Sequence, residues 1–152
     1  MIRNIIIKQV KQQKGQSLVE LALTITILLT LLVGAFDIGN AFLDFVAMRD
    51  AAQEGATYAS IFPTDTSGII NSVQLSSTQP INFSTFVEDC DENSSNGICI
   101  EFAGNQCSGN QVTITVRYLY KVIVPFVGGF LGTQDIPLRA SVTNEIMTTA
   151  CE

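Results

Sequence analysis

Residues 21–36 read "LALTITILLTLLVGAF", sixteen positions without a formal charge, and the reading of this run decides the fold. Counted from Leu18 it makes a helix of roughly 28 Å at ~1.5 Å per residue. That nearly matches the ~30 Å hydrocarbon core of a bilayer. A core helix of a soluble protein is seldom apolar on every face for so long. The run therefore reads as a membrane span.

Its flanks give it a direction. Arg3, Lys8, Lys11 and Lys14 are half of the chain's eight basic residues, and no acid precedes Glu20. Beyond Gly15, four basic side chains stand against fourteen acidic ones. Lys and Arg resist crossing a membrane, so the basic tip is expected in the cytoplasm, the span in the cytoplasmic membrane and the acidic remainder outside. An acidic body repels phosphates, which argues against nucleic acid as a partner.

Glu20, at the mouth of the run, admits three fates for the N-terminus. A signal peptidase could cut after Ala35, where Val33-Gly34-Ala35 offers small residues. Helical patterning continuing through that point counts against it. The helix could instead remain as an uncleaved single-pass anchor for an extracytoplasmic binding domain, with Glu20 snorkelling to the headgroups. The third fate is a cut after Gly15, which leaves Gln16 as the new terminus and Glu20 as its fifth residue. A carboxylate in lipid is costly unless paired. The α-amino group of a neighbouring, staggered subunit would pair it, and Glu20 would then set the register of association.

The stretch "KGQSLVELAL", residues 14–23, carries a resemblance that favours this last fate. A basic leader ending in Gly, then Glu as the fifth residue of an apolar helix, resembles the class III signal of type IV pilin-like proteins. More specifically it looks like the start of TadE-family proteins, pilin-like components of tight-adherence (Tad/Flp) pilus systems. Major pilins of those systems usually have Glu-Tyr here; this chain has Glu20-Leu21, which together with its large C-terminal part points to the TadE-like branch. "AMRDAAQEGATYA", residues 47–59, is similar to the Ala-Arg-Glu-Gly-Ala-rich helix that follows the anchor in that family, with Thr57 where an Arg is frequent. The C-terminal pattern of a strand, the loop "VPFVGGFLGTQ" and a strand ending near Glu145 is also similar. The resemblance implies processing between Gly15 and Gln16 by a prepilin peptidase, assembly through Glu20, and self-assembly with other pilin-like subunits and the Tad machinery, as a minor pilin, pseudopilin or filament subunit.

Downstream of the run, residues 37–62 place Ile38, Phe42, Phe45, Met48, Ala52, Ala56 and Ala59 at three- and four-residue spacing. Asn40, Asp44, Asp50, Gln53, Glu54 and Thr57 fall on the other side. No proline interrupts Leu18 to Phe62, so one long helix is expected, stopped by Pro63. Gly34, Gly39 and Gly55, with the alanines, would allow another helix to approach closely. The expected organisation is a leader over 1–15, a transmembrane and assembly helix over 16–36, its amphipathic continuation over 37–62, and an extracytoplasmic head over 63–152.

Within the head, a short helix is possible near Gly68 to Leu75, and "DCDENSSNG", residues 89–97, reads as a solvated acidic loop. Its Asp89, Asp91, Glu92 and Asn93 lack the spacing of a calcium loop. Period-two alternation then marks strands over 98–103, 112–124 and 136–147. Even positions such as Ile114 and Val116 face in, and odd ones such as Thr115 and Arg117 face out. The fold class is α+β: a long N-terminal helix packed against a small antiparallel sheet, pilin-like.

Cys90, Cys99, Cys107 and Cys151 allow three disulfide connectivities. A meander would bring the 104–111 loop and the chain terminus to one end of the sheet, favouring Cys107–Cys151 and Cys90–Cys99. The paired short spacings of a zinc site are missing, so no metal is expected, and no cofactor motif is present. With no histidine, Ser-His and His-metal chemistry is excluded, and the chain does not read as an enzyme.

Overall fold

The computed structural model describes residues 2–76, 80–91, 94–123 and 132–148. They form helix α1 (Ile2–Ile61), helix α2 (Thr66–Leu75), a 3-10 turn (Phe83–Thr85) and strands β1 (Gly97–Ala103), β2 (Gln111–Lys121) and β3 (Asp135–Glu145). The class is α+β, as the sequence patterns imply. The chain divides into two units, Met1–Ile38 and Gly39–Glu152.

The first unit is helix throughout its described length. All residues from Gly15 to Val33 are exposed. The hydroxyls of Thr24, Thr26 and Thr30 each donate to the carbonyl four residues earlier at 2.8 Å. Every polar side chain between Leu21 and Val33 is a threonine satisfied in this way, which suits a helix surrounded by lipid.

The second unit sets the rest of α1 against a three-stranded antiparallel meander ordered β1-β2-β3. Ile98 pairs with Val116 and Val116 with Ala140, so the inward positions line up across all three strands. Their side chains form one core with Met48, Ala51, Ala52, Ala56 and Ala59 of α1 and with Ile69 and Val73 of α2. Small residues let the layers close up. A Cβ at Gly55 would lie 2.4 Å from the Val73 Cγ2, so glycine is required there by the approach of α2.

α2 starts where chemistry allows. Pro63 follows α1, and the Asp65 side chain caps the new helix by accepting from the Gly68 amide at 2.9 Å. The strand ends fall near their expected places. β2 stops at Lys121 and β3 at Glu145, so 122–123 and 146–147, expected as strand, are not; residue 124 lies outside the described residues. Past β3, the Ile146 amide donates to the Asn110 carbonyl and the Met147 amide to the Ser60 carbonyl, tying the end of the sheet to the end of α1.

Two facing assignments change. Met48, Ala52, Ala56 and Ala59 are buried as expected, but Ile38, Phe42 and Phe45 are exposed and Asp44 is only 8% exposed. The sheet packs on the small-residue side of α1, along Ala51, Ala52, Gly55 and Ala59, and four- and three-residue steps back from there reach Met48 and then Asp44. Close approach to alanine and glycine outweighs the burial of the phenylalanines. The second change is on β2, where the outward-numbered Thr115 and Arg117 are buried too.

Candidate assembly segment and acidic-loop clamp

Gly15, Gln16 and Glu20 lie on consecutive turns of α1 and are all exposed. Glu20 contributes its main-chain carbonyl to the Thr24 hydroxyl. From Leu18 to Phe36 the helix exposes large apolar side chains on all sides, Leu18 by 68%, Leu31 by 70% and Phe36 by 65%. No residue of the most apolar part is buried, so the helix is not the core of the described protein. Among the described residues α1 is long and apolar enough to cross a membrane. A surface of this kind needs lipid or other helices around it, and Glu20 is the sole acid between Gly15 and Phe36.

The cysteines lie in the other unit. Cys90 and Cys99 form a disulfide with a Cα–Cα distance of 4.7 Å. Cys107 is also disulfide-bonded; its expected partner, Cys151, lies outside the described residues. Because Cys99 points to the outer side of β1, opposite Ile98 and Ile100, the bridge pulls the acidic loop back along the sheet.

Arg117 completes that closure. Its cross-strand partner is Gly97. A Cβ at Gly97 would lie 3.1 Å from the Asp89 Cβ, so the missing side chain lets Asp89 come close. The Arg117 guanidinium donates to the Asp89 carbonyl. On the other edge of β1, Asp89 and Val87 hydrogen-bond with Ile98 in a short parallel bridge, while on the β2 side the Asn96 side chain accepts from the Leu119 amide at 3.0 Å. The Asp89 carboxyl is held below the usual carboxylate range, first by the Asp91 amide, then by the nearby Ser94 hydroxyl and the charge of Arg117. The loop is therefore a clamped cover over β2. Glu92 and Asn93 lie outside the described residues, and among the described residues no group of acids, cysteines or histidines is arranged to hold a metal.

Sequence patterning missed this clamp and the buried Asp44. A signal for the clamp exists in retrospect: Cys99 lies inside a strand nine residues after Cys90, so a bridge there must fold the loop onto that strand. Asp44 has no such signal. Burial pushes its carboxyl up, and Tyr118 is raised by burial and by the charge of Asp44.

Residues 15–57 match the model of a protein family described as TadE-like protein. The match begins at Gly15 and ends at Thr57, inside α1, and it agrees with the resemblance carried by "KGQSLVELAL" and "AMRDAAQEGATYA". No curated protein and no solved structure matches the chain.

Proposed function

We propose that this chain is a pilin-like subunit of a Tad-type pilus system, inserted in the cytoplasmic membrane by α1 with its head outside. A prepilin peptidase cuts between Gly15 and Gln16, and subunits then associate helix to helix as a minor pilin, pseudopilin or filament component. Its work is packing rather than catalysis. Glu20, the fifth residue of the processed chain, pairs with the new α-amino group of a neighbour, which drives lateral association because an unpaired carboxylate in lipid is unfavourable.

One observation carries the reading: the family match starts at Gly15, and its first part, residues 15–36, is a helix whose apolar surface is exposed on all sides with Glu20 as its sole acid. The experiment is intact-mass and N-terminal peptide mapping of the protein from membrane and sheared-surface fractions. A start at Gln16 supports the proposal. A retained Met1 favours a plain anchored binding domain, and a start at Phe36 means a secreted head; either would overturn it.

A further inference from the structure

The outer face of the sheet holds a half-open cleft of about 110 Å³ between the acidic loop and strands β2 and β3. Ser94, Arg117, Tyr118, Leu138 and Arg139 are among the residues lining it. Arg117 is only 8% exposed, and its Nε, fully buried, has no hydrogen-bond partner although the other end of the guanidinium serves the Asp89 carbonyl. The Ser94 Oγ is buried too; it is near enough to Asp89 to favour the ionised carboxyl, yet it makes no hydrogen bond of good geometry. Buried donors left this way cost stability unless a water or an ion meets them. Arg139 is the direct cross-strand partner of Arg117, so a second guanidinium belongs to the same face and lines the same cleft.

We propose that this cleft binds a single carboxylate, which the Arg117 Nε–H and the Ser94 hydroxyl, both covered in this structure, turn outward to receive, with Arg139 adding positive potential. A guanidinium edge matches the planar fork of a carboxylate. Asp89, bonded to Arg117 through its carbonyl and close to Ser94, keeps an ionised carboxyl beside these donors and disfavours a doubly charged group such as phosphate. The carboxylate comes either from a small organic acid or from an acidic side chain of a second copy of this chain. The site does not depend on processing at Gly15, so its failure and the failure of the pilin reading are separable.

The test follows the Arg117 Nε–H resonance by ¹⁵N NMR of the full chain in an uncharged detergent, assigned by its loss in Arg117→Lys. Sodium acetate is titrated against equal sodium chloride. The expected result is a saturable shift with acetate alone, and half-saturation moved several-fold higher in both Arg139→Gln and Ser94→Ala. A shift that grows with protein concentration in the absence of acetate also supports the site and assigns the carboxylate to a second copy. A resonance that neither acetate nor protein concentration moves, or that chloride moves equally, overturns the proposal and leaves the cleft to water.

Discussion

Arg117 on the central strand donates to the main-chain carbonyl of Asp89, the residue immediately before Cys90 of the Cys90–Cys99 bridge that closes the same segment. One link is polar and reversible, the other covalent. Together they hold an acidic, glycine-terminated loop against a strand position that alternation alone would leave in solvent.

Removing either link should loosen the head by a predictable amount. Arg117→Ala leaves the Asp89 carbonyl without its donor and should destabilise by about 2 kcal/mol, in the range for hydrogen bonds from charged groups. Replacing Cys90 and Cys99 by Ala should cost about 2–4 kcal/mol, typical for a native disulfide. Denaturant unfolding of the full chain in detergent checks both, and two changes near zero would show that the loop does not brace the sheet.

The facing of α1 gives a sharper contrast. Met48 is fully buried whereas Phe42 is 63% exposed. Met48→Ala should cost about 2–5 kcal/mol of head stability. Phe42→Ser should change it by no more than about 0.5 kcal/mol. Equal losses at both positions would mean that the phenylalanines pack on the sheet after all.

Two acids should respond to pH with opposite signs. The Asp65 carboxyl is held below the ordinary value of 3.8 by the Gly68 amide and then the Tyr58 hydroxyl. Its contribution is complete above 3.8 and disappears as the pH falls through the lowered value. Asp44, raised by burial, works the other way: its folded form is favoured when protonated, and stability falls as the pH rises from 3.8 through the raised value. Asp65→Ala should therefore lower the melting temperature near neutrality and reduce the acid loss. Asp44→Asn should raise it near neutrality. Melting curves across the acid range decide both signs.

Glu20 tests the proposed assembly. Glu20→Ala should leave the protein in the membrane fraction at normal abundance while removing it from sheared surface material. The charge is not needed for insertion of so apolar a helix, only for pairing between subunits. Unchanged surface display would make Glu20 a snorkelling acid.

The elements themselves were legible because their signals are local. A proline after Phe62, period-two alternation around Ile114 and an unbroken apolar run each report on neighbours a few residues apart. The facing of α1 was not legible, since Phe42 and Ala51 both fit a helical stripe and only the sheet chooses between them. Arg117 likewise looks like a solvent residue until Gly97 is placed opposite it. Neither the exposed Glu20 nor Gly15 needed the fold to be found; their spacing is the signal.

By itself, then, the sequence determined the long helix, its apolar anchor, the acid five residues beyond Gly15 and the three strands. These follow from hydrophobic period and charge placement, which act over a turn or a pleat. The tertiary structure alone decided that Asp44 is buried, that the phenylalanines of α1 stay outside, and that Arg117 is largely covered by a disulfide-bound loop. Those outcomes depend on which surfaces approach most closely, here alanine and glycine against β2 and α2, and on what the chain must then bury along with them.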